Sequence, residues 1–391
     1  MFRALFPRAR SSLASTLSNS HRRSLLRIAM LSSKPQPEDC SKVLIFGAGN
    51  FGSCLASHLG DSQHRVYMWA REEKIVKYFN EHKRNLVYLT DHEFPPSITA
   101  VGPEMPGEAL IDDVDVLLFA IPTQFLRATL QTLRPSLHLD RLPLLIFVNK
   151  GIEVGTNALT LEIIADTCGP EIAKLATFIS VVERQPTSVS VASLTEAEAV
   201  KAATLFHQPH FRCYTGVDPI GIELSGALKN IYAIAAGMSD GLGTKLPGVI
   251  ITRGLSEMTC IGTAYGASPL TFLGLAGVGD LFLTCSSSNS RNYTVGYRLG
   301  KGEKLDVIMS TLGSVAEGVP TTKGVKKIIE EMEINAPIAN AVYDVLFNGK
   351  ETQTAVKELM ELPPSRELEL PPSVGGPSRR LLEKLGVEKS L

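Results

Sequence analysis

The chain has 391 residues, 44% hydrophobic and 20% charged, with a formal net charge of -1. That length suits two domains, the charge gives no basis for nucleic-acid binding, and no apolar run approaches the ~20 residues of a membrane-spanning helix. The six cysteines, Cys40, Cys54, Cys168, Cys213, Cys260 and Cys285, lack metal-ligand or disulfide-framework spacing, so they read as free thiols of a reducing compartment.

Residues 1–40 form a basic leader. Arg3, Arg8, Arg10, Arg22, Arg23, Arg27 and Lys34 precede the first acid, Glu38, among many serines. This is the composition of an organelle transit peptide or of a disordered tail, and Met30 offers a second start that discards most of it. Without these seven, the 39 basic residues fall to 32 against 40 acids, so the body carries a net charge of -8.

A dinucleotide-binding domain is expected over 41–215. It opens with "KVLIFGAGNFGSCLASHLG", Lys42 to Gly60, an apolar strand, a G-x-G-x-x-G turn and a helix. Gly47 allows the tight turn, Gly49 lets main chain approach a ligand, and Gly52 lets helix and strand pack closely. The helix N-terminus then offers bare N–H groups to a pyrophosphate. The next strand, "RVYMWA", ends at Arg71 and Glu72, where an acidic residue commonly holds the ribose hydroxyls of NAD. Arg71 suits adenine stacking or a 2′-phosphate, so the cofactor reads as NAD with NADP left open; a solvated surface charge is the plain alternative.

The stretch "EEKIVKYFNEH" has helical spacing. The runs "DVLLFAIP" and "LPLLIFVNKG" are strand-like, with the helical "TQFLRATLQTL" between them, and "ATFIS", "TSVSVAS" and "FRCYTG" follow. Strands alternating with helices imply an α/β fold with a parallel, doubly wound sheet. Lys150 follows "LLIFV", at the carboxyl end of a strand, where ligands of open α/β sheets bind.

From Pro219 the texture becomes helical, giving an expected substrate domain over 216–362 and a flexible Pro-, Gly- and Ser-rich tail over 363–391. "IGIELSGALKNIYAIAAGMSDGL" is apolar on nearly every side and reads as buried. Its one cation, Lys229, either snorkels to the surface or loses its proton more readily, as a general acid requires. "GLAGVGDLFLTCSSSNSRN" supplies Asp280, which can hold Lys229, together with Thr284, Arg291 and Asn292, polar groups suited to a phosphate. With no His or Cys pattern for a catalytic metal, these residues describe a nicotinamide dehydrogenase acting on a small anionic carbonyl compound.

The segments "VLIFGAGNFGSCLA", "VNKGIE", "SGALKNIYAIAAGMSDGLG", "GLAGVGDLFLTC", "SRNYTVGYRLGKG" and "AEGVPT" together resemble NAD(P)-dependent glycerol-3-phosphate dehydrogenases, from about Ser41 to Leu362. The resemblance implies an N-terminal Rossmann-like domain, a helical C-terminal domain, commonly a homodimer, and a cytosolic oxidoreductase interconverting dihydroxyacetone phosphate and sn-glycerol 3-phosphate. By motif, Lys229 matches the proton donor and acceptor and Lys150 the second active-site lysine. Asn230, Asp280, Thr284, Arg291 and Asn292 match the substrate set, with Arg291 also near the cofactor phosphates. Gly47, Gly49, Asn50, Phe51 and Gly52 match the dinucleotide loop, Pro122 a segment beneath the cofactor, and Glu317 a contact on the nicotinamide side.

Two departures stand out. After Ser180 the chain runs directly into "VVERQPTSVSVAS", shorter by about seven residues than the family's usual loop at the nicotinamide end, so either the pocket is open there or Val181 to Arg184 bridge it. After "SDGLGT" it has "KLPGVIITRGL", where Pro247 suits the first turn of a helix. The alternatives are a related two-domain hydroxyacid dehydrogenase, or a nicotinamide-binding protein or splice variant whose catalysis is impaired by the shortened loop.

Overall fold

The computed structural model describes residues 40–182, 187–244, 246–288, 290–312, 316–364, 384 and 386. The basic leader, residues 183–186 of the shortened run and nearly all of the tail therefore lie outside the described residues.

Eight strands form one sheet: β1 (Lys42–Phe46), β2 (Arg65–Trp69), β3 (Ile98–Val101), β4 (Val116–Phe119), β5 (Leu144–Phe147), β6 (Thr177–Val182), β7 (Thr187–Ser193) and β8 (Phe211–Gly216). Their order is β3-β2-β1-β4-β5-β6-β7-β8. The helices of this region are α1 (Asn50–Asp61), α2 (Glu73–His82), α3 (Glu108–Asp113), α4 (Thr123–Leu133), α5 (Thr160–Cys168), α6 (Pro170–Ala173) and α7 (Glu196–Phe206). The chain reverses sides between β1 and β4, where β1 pairs with both β2 and β4. In such sheets this reversal leaves a crevice above the carboxyl ends of the strands.

The fold is the α/β, Rossmann-like architecture expected, with two differences. β3, "ITAV", is as short as β4 and β5 but lacks their unbroken run of large apolar residues, so its pattern does not mark it as a strand. β7 runs antiparallel to β6 and parallel to β8, so the sheet is not parallel throughout. Only four residues separate β6 from β7, far fewer than the dozen or so that a parallel crossover needs.

A row of aromatic rings lies under the crevice. Phe46, Phe119, Phe147 and Phe178 are in register across β1, β4, β5 and β6 and almost wholly buried. Their centroids are 4.9, 4.7 and 5.7 Å apart in sequence along the row. Each such stacked pair contributes about 0.5–1.5 kcal/mol beyond its area burial, so the strand ends that carry Lys150 and Ser180 rest on a rigid floor.

After β8 the chain is helical: α8 (Pro219–Leu242), α9 (Pro247–Ala264), α10 (Pro269–Phe272), α11 (Asp280–Cys285), α12 (Arg291–Gly300), α13 (Leu305–Thr311), α14 (Gly318–Glu331), α15 (Pro337–Phe347) and α16 (Thr352–Met360). Asp218 caps α8, accepting from the Gly221 N–H at 2.9 Å, and α9 starts at Pro247, which fixes its first turn. Burial of α8 on almost every face follows from its all-round apolar sequence. Its Gly237 and Gly241 meet the backbone of α12, and Gly296 and Gly300 of α12 meet α8. Any side chain there would force the helices apart, and with them Arg291 and Asn292 from Lys229. Among the described residues, no helix is long and apolar enough to cross a membrane.

Candidate active site

Two lysines converge on one carboxylate. Lys229, midway along α8, is 6% exposed, so it does not snorkel. Its Nζ lies 2.5 Å from Asp280 Oδ1 and donates to Thr284 Oγ1 at 2.9 Å. Lys150, three residues past β5, donates to the other oxygen, Asp280 Oδ2, at 3.3 Å. Ser180 of β6 donates to that same oxygen at 3.4 Å. Asp280 opens α11, and Thr284, one turn on, donates its only hydroxyl proton to the Asp280 carbonyl at 2.6 Å. Thr284 thus has only lone pairs left for a ligand.

The two lysines titrate apart. Burial and the neighbouring Lys150 charge push Lys229 down to about 8, against the opposing pull of Asp280. For Lys150 burial also acts downward, but the Asp280 charge and hydrogen bond outweigh it, and its proton is held more tightly than usual. Burial would raise Asp280, yet Lys150 and Lys229 hold it below the ordinary carboxylate range. Glu317, just before α14, is pushed up to about 7 by burial, although Lys150, Arg291 and Lys229 all favour its anion.

Arg291, the first residue of α12, is exposed, and Asn292 and Asn230 are buried. The Asn292 side-chain oxygen accepts from the Gly318 N–H at 2.9 Å, so what it offers a ligand is its amide N–H. A Cβ at Gly318 would lie 2.7 Å from that oxygen and 2.9 Å from the Asn230 carbonyl, which requires glycine there. Asn230 Nδ2 turns back to the Gly226 carbonyl at 3.3 Å. The stem of Lys150 packs over Gly226, its Cγ at an ordinary contact distance, 3.5 Å, from where a Cβ would stand.

At the other end of the crevice, Gly47 has φ +119, and a Cβ on it would lie 2.6 Å from the Ala120 carbonyl at the end of β4. A Cβ at Gly52 would collide with the Gly47 carbonyl, whereas one at Gly49 would meet nothing within 4 Å. Open space over Gly49, with Asn50 and Phe51 starting α1, is a cradle into which a pyrophosphate fits. Pro122 directly precedes α4, beside this turn. Arg71 is exposed beyond β2 and pairs with Glu72, at 3.3 Å, so both readings of its charge stand. Cys285 is fully buried and its thiol is pushed up to about 12 by that burial, which keeps it unreactive. Among the described residues, no group of three or more His, Cys, Asp or Glu side chains is placed to hold a metal ion.

The structure thus gathers Lys150, Lys229, Asp280, Thr284, Asn230 and Asn292, and sets the glycine turn apart at the switch in strand order. Ser180, Gly226 and Gly318 were not singled out from the sequence. Gly226 carried a signal, lying three residues before Lys229 and so on the same helix face; Ser180 ends the run "ATFIS", where strand ends face the crevice.

Two family models match the chain, NAD-dependent glycerol-3-phosphate dehydrogenase N-terminus over residues 42–199 and C-terminus over residues 218–357. A glycerol-3-phosphate dehydrogenase [NAD(P)+] of Geobacillus kaustophilus is 40% identical over 327 residues, covering 81% of this chain and 94% of the relative. Its counterpart in Staphylococcus saprophyticus is 38% identical over 329 residues, 82% of this chain and 98% of the relative. Among solved structures, glycerol-3-phosphate dehydrogenase of Coxiella burnetii superposes with a TM-score of 0.75 at 29% identity, over 83% of this chain and 99% of that one. A D-mandelate dehydrogenase, at 13% identity and a TM-score of 0.55 over 81% of this chain and 99% of that one, is alike in fold alone.

Proposed function

The chain belongs to the NAD-dependent glycerol-3-phosphate dehydrogenase family, and on that premise we propose how its residues divide the work. The protein is an NAD(P)-dependent oxidoreductase that interconverts dihydroxyacetone phosphate and sn-glycerol 3-phosphate. The observation that carries the reading is the buried Lys229–Asp280–Lys150 cluster at the carboxyl end of the sheet. The division into a dinucleotide-binding domain over 41–215 and a substrate domain over 216–362 is part of the proposal.

The cofactor would be held by the glycine turn, Gly47, Gly49, Asn50, Phe51 and Gly52, by Pro122, by Arg71 towards its adenosine end and by Glu317 towards its nicotinamide. When bound in reduced form it supplies the hydride for C2 of dihydroxyacetone phosphate. Arg291 and the Asn292 amide N–H grip the substrate phosphate as planar donors, and Asn230 lines the pocket. Thr284, whose proton is committed to Asp280, orients Lys229 rather than binding phosphate. Lys229 protonates the alkoxide that develops at C2, since a group titrating near neutrality is matched to that transfer. Lys150 keeps its proton and stabilises the same charge electrostatically. In the oxidative direction, neutral Lys229 takes the hydroxyl proton back.

The homodimer and the cytosolic residence that the resemblance implies belong to the same proposal, with organelle import by the leader as the alternative. Light scattering reads the first and imaging of the tagged chain the second.

The decisive assay follows loss of reduced-nicotinamide absorbance with dihydroxyacetone phosphate, in parallel with NADH and NADPH. Turnover supports the assignment and reads which cofactor Arg71 admits. NADH binding without turnover would overturn it in favour of a binding protein whose shortened run after Ser180 no longer completes the pocket.

A further inference from the structure

The carbonyl of Ala48 lies in the middle of the glycine turn, and a side chain from another part of the fold holds it. Asn85, on the link between α2 and β3, is 1% exposed. Its Nδ2 donates to the Ala48 carbonyl at 2.9 Å and to Ser53 Oγ at 3.1 Å. Ser53, wholly buried in the first turn of α1, donates its own hydroxyl to the same carbonyl at 3.3 Å. The Asn85 Oδ1 accepts from the N–H groups of Val87 and Tyr88 at 3.0 and 3.1 Å, closing a local turn of the kind asparagine favours. Two donors and two acceptor sites are all that an asparagine amide has, so its orientation is fixed. Closing its own loop needs only the oxygen; both N–H groups go to the glycine turn, 37 and 32 residues away in the chain.

The base from which Asn85 reaches is firm. Asn80 of α2 exchanges two hydrogen bonds with the main chain of Ala100 in β3, each at 2.9 Å. The Lys83 ammonium donates to the Ile98 carbonyl at 2.8 Å, and the Phe94 N–H closes the link on the Lys83 carbonyl at 2.8 Å. A trans peptide points its C=O and its N–H to opposite sides. Holding the Ala48 carbonyl towards Asn85 therefore turns the Gly49 N–H the other way, at the start of α1. That helix has no side-chain cap, which leaves its first donors to a bound anion. A side chain on Gly49 would meet nothing within 4 Å, so an anion can approach this main chain closely.

We propose that Asn85 is a positioning residue for the dinucleotide: by gripping the Ala48 carbonyl together with Ser53, it sets the Ala48–Gly49 peptide so that the Gly49 N–H meets the pyrophosphate. A peptide free to rotate would present that donor only part of the time, and the ligand would have to order it on binding.

This role depends on the dehydrogenase reading, and the two fail differently. NADH and ADP-ribose, which carries the same pyrophosphate without the nicotinamide, are titrated against the full chain and against Asn85→Ser by fluorescence and calorimetry. A serine hydroxyl closes the same local turn but stops short of Ala48. Both dissociation constants should rise by about tenfold, the loss of one aligned hydrogen bond to a charged group. The kcat at saturating NADH and the KM for dihydroxyacetone phosphate should stay within about twofold of wild type. Phe79→Leu thins the core beneath α2, where the ring packs on Phe94 with centroids 5.0 Å apart; it should lower Tm and leave both constants in place. Unmoved constants in Asn85→Ser, or constants that rise as much in Phe79→Leu for the same loss of Tm, overturn the proposal. If Asn85→Ser does not fold, Ser53→Ala replaces it, with a rise of about threefold expected; unmoved affinity overturns the proposal. A wild type that binds ADP-ribose but does not turn over dihydroxyacetone phosphate sinks the dehydrogenase reading, and the titrations still decide the role of Asn85. A wild type that binds neither nucleotide overturns both.

Discussion

Replacing Asp280 by Asn removes a charge while keeping the shape of the side chain, and so isolates what that charge does to Lys229. Asp280 Oδ1 is 2.5 Å from Lys229 Nζ, which places the two charge centres about 4 Å apart or closer. At an effective dielectric of ~20, unit charges at about 4 Å attract by about 4 kcal/mol, or about three pKa units. Lys229 already sits at about 8 through burial and the Lys150 charge, so without Asp280 it moves toward about 5. At about pH 7.5 the protonated fraction then drops from roughly three-quarters to about one in three hundred, and reductive kcat/KM falls roughly two hundredfold. The assay is NADH oxidation with dihydroxyacetone phosphate from about pH 5 to pH 9. The expected profile has its alkaline limb displaced to acid by about two to three units, with activity near pH 5 returning to within about tenfold of wild type. A limb that stays in place while the whole profile drops would refute the reasoning, because Asp280 would then serve only as scaffold or substrate ligand.

Three further outcomes follow from the geometry. Lys229→Met should lower reductive kcat on the order of a hundredfold or more while NADH affinity, read by fluorescence titration, stays within about twofold; near-normal kcat would remove Lys229 from the chemistry. Gly318→Ala presses a methyl to 2.7 Å from Asn292 Oδ1, where the Gly318 N–H is bonded. It should raise KM for dihydroxyacetone phosphate by roughly tenfold and lower stability by about 1–3 kcal/mol, measured by saturation kinetics and thermal melts. Glu257 of α9 is 3% exposed, accepts from Tyr232 Oη and from the Ile338 and Ala339 N–H groups at the start of α15, and is pushed up to about 7 by burial. A raised acid contributes stability that is fully present below its ordinary value near 4.5 and is lost as pH rises through about 7. Glu257→Gln should therefore flatten the decline of Tm between about pH 5 and pH 8, by up to about 3 kcal/mol; an unchanged slope would mean that Glu257 is ionised throughout.

What was legible in the sequence was local. The turn at Gly47, Gly49 and Gly52 joins a strand to a helix within twenty residues; Gly52 answers to the Gly47 carbonyl five residues back, and Gly47 to its own positive φ as well as to Ala120. The all-round apolar sequence of α8 showed that the helix is buried but left open whether Lys229 lies inside or snorkels out, and the structure puts it inside. The antiparallel β7 was hidden because alternation along a strand gives its faces and not its direction; only the length of the link after β6 carries that. The hold of Asp280 on Lys229 was anticipated as the one acid of its segment against the one cation of α8, but the sharing of that carboxylate by Lys150, 130 residues away in the chain, is encoded by no pattern within a helix or strand. Thr284 was legible as a hydroxyl beside a phosphate-suited run, but its hydrogen bonds to Lys229 and to the Asp280 carbonyl one turn back were not.

The split between the two lysines follows from placing both against one acid at unequal depth. Asp280 neutralises one positive charge, so with both lysines protonated the cluster keeps one net charge, and the more deeply buried amine pays most of the cost of holding it. The Lys229 side chain is 7% exposed and that of Lys150 23%. Lys229 is accordingly the one driven toward neutrality, while Lys150, nearer solvent and bonded to the other carboxylate oxygen, retains its proton. Two titratable groups pushed apart by their surroundings mark which gives up a proton and which holds charge. A reaction that forms an alkoxide needs both, a donor that can lose its proton near neutral pH and a fixed cation that does not. The close glycine packing of α8 against α12 helps to keep Lys229 inside, against Asp280 and Thr284.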